Sequence, residues 1–472
     1  MDSGYDVLVI GLGPAGMAVA VMAAEMGLSV CAVEREHVGG ECMNVGCIPS
    51  KALLRMGKKR ALFKKLLPEG AENTEAALPD PFAKIARDLD HISTHKTMGM
   101  FGKVQLVYKE GGARFLDART VAVGGQRITA RKIFICTGTH PAVPEISGLR
   151  EVQPLTNDSL FHLEKVPASM MILGSGAIAC EMAQAFSRMG CRVSMVFRGK
   201  GLMWREDRDA TTILEEALEK DGVTLYREAG MASFRRDEEG VHLSLKDGRE
   251  VVAAEVLCAL GRHFDGGELD LDKAGVAYTE RGIKVDKYLC SSNPDIYACG
   301  DVNGEKLFSH AAMHQGMLAL MNCMAFPPFK KNFRAYPVPW TIFTEPQISR
   351  TGRSAAELDK AGIRYETVRV NYADYGAAIA EDVDTGFVKV FVSKWGRVYG
   401  ALIVGEGSGE MINEWTAIIQ HKIRLTSVMM QQHSFPTMGF LSKRVAEVWM
   451  MGKMKCPHVR KLCQFLFRRG KK

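Results

Sequence analysis

Two blocks of this chain share one order of apolar and polar positions. Val7 to Ile10 is a short apolar run that leads into Gly11-Leu-Gly13-Pro-Ala-Gly16, then an Ala- and Met-rich stretch of helical period, then an apolar run from Ser29 to Val33. About 160 residues further on the order returns as Met170 to Leu173, Gly174-Ser-Gly176-Ala-Ile-Ala179, a helical stretch, and Arg192 to Val196. Each block reads as strand, glycine turn, helix and strand. Arg281 to Cys290 reads as a strand and turn, and Ile296-Tyr-Ala-Cys-Gly-Asp301 as an apolar strand ending in an acid. Beyond Pro337 to Pro339 the pattern changes. Alternation over Tyr365 to Val370 and Gly386 to Val392, with helical periods near Ser354 to Lys360 and Gly409 to His421, predicts an α+β unit and a domain boundary near residue 335.

A chain of 472 residues exceeds one ordinary core and suggests about three domains. Hydrophobic residues at 47% and charged residues at 24% are globular averages, which excludes a fibre, a disulfide scaffold and a disordered chain. The first apolar run ends in glycines rather than at a cleavage site, so no secretory leader is read there, and no stretch is long and apolar enough to span a bilayer. The twelve cysteines are therefore expected in a reducing cytoplasm, where a disulfide is catalytic rather than structural. The net charge of +7 is local: Leu441 to Lys472 holds ten Lys or Arg against Glu447, a net of +9, which leaves −2 for the rest. A basic balance confined to the tail excludes a general nucleic-acid surface.

The glycine spacing gives each turn a chemical reading. Gly11, Gly13 and Gly16 permit a tight turn and bring backbone N–H groups at a helix start close to a pyrophosphate. Glu34, at the end of the following strand, suits the two hydroxyls of an adenosine ribose. The second copy, Gly174, Gly176 and Ala179, ends instead in Phe197-Arg198. Arg198, Lys200 and Arg205 offer positive charge to a 2′-phosphate, the pattern expected for NADP; the plainer alternative is a solvated basic loop.

Gly39-Gly-Glu-Cys42-Met-Asn-Val-Gly46-Cys47-Ile-Pro-Ser-Lys51 is the segment with most chemistry in it. In a straight helix, residues five apart have Cα atoms roughly 8 to 9 Å apart, beyond disulfide reach, so pairing of Cys42 with Cys47 requires a bend that Gly46 allows. A helix beginning near Pro49 would then direct partial positive charge at Cys47 and favour its thiolate. Two unrelated buried cysteines are the alternative for this segment alone.

Taken together, these segments resemble the flavoprotein disulfide reductase family that includes lipoamide dehydrogenase, glutathione reductase and mercuric reductase. The resemblance runs almost end to end. It rests on Gly11 to Gly16 with Glu34, the Cys42/Cys47 segment through Lys51, Cys136-Thr137-Gly138-Thr139 with Pro141 and Pro144, Gly174 to Glu181, Ala259-Leu-Gly261-Arg262, Tyr297 to Asp301, and Phe343-Thr-Glu-Pro346. It implies an FAD and NADPH enzyme, NADH being the alternative donor, in which Cys47 lies against the flavin as a thiolate and Cys42 attacks the acceptor. Lys51 and Glu181 would pair near the flavin. Asp301, with Gly40, Thr137, Gly138 and Ser309, would line the FAD site, and Gly174, Gly176, Ala179 and Gly261 the pyridine nucleotide. The implied fold is α/β: two Rossmann-like dinucleotide-binding domains plus a C-terminal α+β dimerisation domain. The segments are 1–150 and 271–334 for FAD, 151–270 for NAD(P), 335–455 for dimerisation, and a basic tail at 456–472. The active site would be shared across a homodimer.

Departures from the family bear on the acceptor. Disulfide-reducing members carry His-Pro-Thr-x-x-Glu, with the acid–base histidine working on the partner subunit's cysteines; here the run is Phe435-Pro-Thr-Met-Gly-Phe440. Both members of the dyad are phenylalanines. His433, two residues earlier, is the candidate substitute. Glu41 stands where threonine is usual, adding an anionic group beside Cys42 that would disfavour anionic acceptors, and Ala177 stands where some members have a bulky gate over the nicotinamide pocket. No metal site is read.

The tail adds Cys456 and Cys463. It reads as a second thiol pair, as a short basic helix with Val459, Leu462, Phe465 and Leu466 on one face for an anionic membrane or acidic partner, or as an uncommitted tail. The acceptor stays open among disulfides, small molecules, metal ions and protein thiols. An alternative of another class is a flavin-containing electron-transfer or docking subunit of a larger complex. The expected location is cytoplasmic, at most peripheral to a membrane.

Overall fold

A computed structural model describes residues 4–66 and 80–469; Lys471 and Lys472 of the basic tail lie outside the described residues. The chain divides into two compact units, one of residues 1–200 and 221–335 and the other of residues 201–220 and 336–472.

The first unit contains both glycine-turn blocks. Strand β1 (Tyr5–Ile10) feeds helix α1 (Pro14–Glu25) and returns as β2 (Val30–Glu34), parallel to β1 with Val7 opposite Val30. β1 is also parallel to Gln126–Ile135, which in turn pairs in parallel with Ile296–Ala298. Seven strands form this sheet, extended on one side by Gln105–Tyr108 and on the other by an antiparallel pair, Thr120–Val123 and Arg114–Phe115. The second block builds an all-parallel sheet from Thr224–Tyr226, Arg192–Val196, Ser169–Leu173 and Glu255–Cys258. The central strands are apolar because helices cover both faces of such sheets; Leu8, Val9, Ile172 and Leu173 are fully buried. Open parallel sheets place ligands at the carboxyl ends of their strands, where the glycine turns lie.

Where Arg281 to Cys290 reads as a strand and turn, only Gly282–Ile283 is a strand. The Asp286 carboxylate accepts hydrogen bonds from the Tyr288 and Cys290 N–H groups at 2.8 and 3.0 Å and folds the segment on itself.

The second unit contains a five-stranded antiparallel sheet in the order Trp340–Ile342, Ile348–Gly352, Val398–Val404, Phe387–Val392 and Glu366–Asn371. Helices Ser408–Gln420 and Phe440–Met454 pack on it, around a core of Trp415, Tyr372, Val388, Val390 and Ile403. Ser354 caps Ala355–Lys360 reciprocally with Glu357, as the Ser-x-x-Glu spacing requires. No described helix is long and apolar enough to cross a membrane.

Candidate functional site

The first glycine turn is tightly packed against its own sheet. Gly11 has φ +90°, and a Cβ there would lie 2.7 Å from the Cys136 carbonyl oxygen; at Gly16 it would lie 1.9 Å from the Gly11 oxygen. These close approaches seat the start of α1 on the ends of two strands and leave Gly13 facing Gly40. Glu34 ends β2 with Oε2 accepting from the Leu12 N–H at 2.8 Å, which fixes a carboxylate beside the turn. Gly138, at φ +72°, faces open space. Asp301 follows the last strand of the sheet. Burial raises its carboxyl to about 6 against the pull of Arg262, whose Nε lies 3.9 Å away.

Cys42 and Cys47 lie on separate helices, α2 (Gly40–Asn44) and α3 (Cys47–Leu66). The required bend is at Val45 and Gly46, and α3 begins at Cys47 itself, two residues before Pro49, so the sulfur sits at the positive helix end. Gly46 is needed for space rather than for a left-handed backbone: a Cβ there would come 2.9 Å from the Glu41 oxygen. Both cysteines are free thiols and half-buried. A hydrogen bond from Cys42 is the main cause that lowers the Cys47 thiol to about 6; Ser309 and Lys51 act in the same direction, against burial and Glu181. The Cys42 thiol moves the opposite way, through that same hydrogen bond and burial. One sulfur of the pair therefore ionises alone. Lys51, one turn into α3, pairs with Glu181 at 2.8 Å, and Glu181 is buried.

Glu41 does not stand as a bare anion beside Cys42. Arg262 meets its carboxylate at 2.6 Å while also donating to the Thr139 hydroxyl and carbonyl at 2.7 and 2.6 Å, so its charge is compensated. Nothing local in the sequence couples Glu41 to Arg262; only the presence of Arg262 in a family motif pointed to it.

The second turn repeats the first with open faces. Gly174 has φ +127° and packs on Ala259, Ala179 is fully buried, and nothing lies within 4 Å of a Cβ at Gly176 or Gly261. Phe197 is buried where Glu34 stands in the first block, leaving Arg198 and Lys200 exposed next to it. Arg205 belongs to the other unit, where its guanidinium stacks over the Trp204 ring at 4.8 Å.

In the second unit Phe435 and Phe440 touch edge to face, with ring centroids 5.4 Å apart. Tyr375, which no sequence motif singles out, stacks on Phe440 at 6.1 Å, and its hydroxyl donates to the Thr437 carbonyl at 2.9 Å. Phe435 is 71% exposed, so the face of this aromatic cluster is uncovered in the single chain. His433 Nε2 bonds Glu414 Oε1 at 2.9 Å, its side chain is 8% exposed, and its Nδ1 is buried with no hydrogen-bond partner. Glu414 lies 19 residues away, and no pattern in the sequence marks it.

Comparison with known proteins matches most of the chain. The family model described as pyridine nucleotide-disulphide oxidoreductase matches residues 5–316, and the dimerisation domain of the same name matches 338–443. This chain belongs to the pyridine nucleotide-disulphide oxidoreductase family. Mercuric reductase of Streptomyces lividans is 31% identical over 470 residues, covering 96% of this chain and 98% of that one. Dihydrolipoyl dehydrogenase of Thermus scotoductus is 30% identical over 449 residues, covering 92% and 95%. The structure of the HOCl-induced flavoprotein disulfide reductase RclA from Escherichia coli shares the fold, with a TM-score of 0.83 at 24% identity over 94% of this chain and 99% of that one. The oxidoreductase is thus an FAD- and NAD(P)H-dependent enzyme, and its dimerisation domain supports a homodimer. The glycine cradle at Gly11 to Gly16 with Glu34 fits a dinucleotide such as FAD, and the open faces of Gly176 and Gly261 fit a second nucleotide.

Proposed function

We propose that this reductase takes an electron pair from NADPH and delivers it through the Cys42–Cys47 disulfide to an acceptor that needs no proton donor on leaving. The observation behind this reading is the asymmetric thiol pair at the start of α3, with Cys47 lowered to about 6. Bound FAD supplies the relay of electrons between NADPH and the disulfide. Gly11, Gly13, Gly16, Gly40, Glu34, Thr137, Gly138, Asp301 and Ser309 would hold it, and Gly174, Gly176, Ala179 and Gly261 would hold NADPH. An electron pair and one proton cleave the disulfide to the Cys42 thiol and the Cys47 thiolate. Lys51, fixed by Glu181, keeps positive charge near that thiolate. Cys42, its proton lost to water, attacks the acceptor and expels the first leaving group as its anion; Cys47 then attacks the Cys42 sulfur, re-forming the disulfide and releasing the reduced acceptor.

Phe435 and Phe440 bear on the acceptor. A thiol of ordinary pKa leaves well only when protonated, and positioned acid–base groups contribute roughly 10² to 10⁴ in rate. The ring nitrogens of His433 are already occupied or buried within their own subunit, so it serves here as a structural partner of Glu414. A soft metal ion, or a disulfide that releases an acidic thiol, needs no such help. Two of the relatives carry the names mercuric reductase and dihydrolipoyl dehydrogenase, and the first kind of acceptor suits this site better. An acceptor screen on NADPH-reduced enzyme tests the reading; turnover of lipoamide or glutathione disulfide above that of any soft metal ion or acidic-thiol disulfide would overturn it.

The donor preference rests on Arg198. NADPH should reduce the enzyme faster than NADH at equal concentration in stopped flow, and Arg198→Glu should reverse the order. Equal rates in the wild type would make Arg198 a solvated surface residue.

We further propose that the carboxy-terminal helix docks on an anionic lipid surface. Pro457–Arg469 has no buried residue; Leu462, Phe465, Leu466 and Phe467 are 56–75% exposed, flanked by Arg460, Lys461 and Arg468, with no acid after Glu447. Cosedimentation with phosphatidylserine vesicles at low salt should capture the full chain, and neither the chain truncated after Lys455 nor vesicles of neutral phosphatidylcholine should bind. Vesicle binding unaffected by truncation, or a truncation that instead changes the oligomeric state, would overturn it.

A further inference from the structure

The Ser309 hydroxyl lies 3.3 Å from Cys47 Sγ. Helix Ser309–Met324 begins with this residue. Three contacts about two turns further along hold the helix in place. Gly316 packs so closely on α1 that a Cβ there would lie 2.4 Å from the Ala15 oxygen, and Gln315 Oε1 accepts from the Gly300 N–H at 2.8 Å and from Asn303 Nδ2 at 2.7 Å. Either group of the serine–cysteine pair can donate while Cys47 is a thiol. A thiolate has no proton to give, so on ionisation the hydroxyl must be the donor. Cys47 then stands at the first residue of its own helix and against the first residue of another, where both helix ends favour negative charge.

We propose that Ser309 is a positioning residue for the redox pair: its hydroxyl donates to the Cys47 sulfur and holds it as a thiolate from within the same subunit. This rests on the Cys42–Cys47 reading above. It gives the redox pair a source of anion stabilisation within its own subunit.

The test is a pH titration of the two-electron-reduced holoenzyme, followed through its long-wavelength thiolate-to-flavin absorption and, independently, through the rate of thiol alkylation at Cys47 read by mass spectrometry. Ser309→Ala should move the midpoint of both upward by about one pH unit, a tenfold loss of thiolate below the midpoint. Ser309→Thr, which keeps a hydroxyl, should stay near the wild-type midpoint. Should Ser309→Ala fail to hold flavin, Ser309→Gly, which also lacks the hydroxyl, should show the same upward shift. A wild-type midpoint in the variant without a hydroxyl overturns the role of Ser309 while leaving the redox pair intact. A wild type with neither the absorption nor an acidic Cys47 overturns the redox-pair reading itself.

Discussion

Phe435→His combined with Phe440→Glu should raise turnover of lipoamide or glutathione disulfide by about 10², the low end of what a positioned acid–base group supplies. The two rings are in contact at 5.4 Å between centroids, so the substituted imidazole and carboxylate would start within reach of one another. Phe440 opens helix Phe440–Met454, where a carboxylate also meets the favourable end of the helix dipole. Phe435 is largely exposed, so its replacement costs little packing; loss of the Tyr375–Phe440 stack costs about 0.5 to 1.5 kcal/mol and leaves the sheet core untouched. Steady-state kinetics with both disulfides, on wild type, both single variants and the double variant, measure the effect. The single variants should gain far less than the pair, because an unoriented imidazole and an isolated carboxylate each lack their partner. High disulfide turnover in the wild type that His433→Ala removes would refute the argument, and would make His433 the acid despite its burial.

Cys47→Ser should abolish the long-wavelength band that appears on two-electron reduction, while Cys42→Ser should retain it. The two sulfurs are not equivalent. Cys47, at the start of α3 with Lys51 one turn on, is the one lowered to about 6, and Cys42 is shifted the other way. At neutral pH the reduced pair therefore holds its single negative charge on Cys47, and the band should fade as the pH falls through about 6 and the thiolate takes up its proton. Anaerobic titration with NADPH across a pH series reads both effects. A wild type that passes directly to fully reduced flavin with no such band contradicts the redox-pair assignment.

Much of the site was legible in the sequence because it is built from short segments. A glycine turn between a strand and a helix is set by backbone dihedrals over six residues, so the spacing of Gly11 to Gly16 and Gly174 to Ala179 carried its chemistry with it. The cysteine spacing likewise demanded a bend, and Phe435 and Phe440 stand where the family resemblance leads one to expect a histidine and a glutamate. Some local readings needed correction even so. Pro49 suggested a helix start two residues too late, since the helix already begins at Cys47, while Gly46 stands at the bend as expected and is also crowded by the Glu41 carbonyl.

What the tertiary structure alone decided lies between segments far apart in the chain. Ser309 reaches Cys47 across 262 positions because Gly316 lets one helix pack on another. Arg262 compensates Glu41, and Glu414 engages His433, by contacts that no periodicity encodes. Tyr375 completes an aromatic cluster with the two phenylalanines through the fold of the antiparallel sheet and its helices. Local motifs follow from backbone geometry over a few residues. Side-chain partners follow from which surfaces pack together, and that is a property of the whole fold.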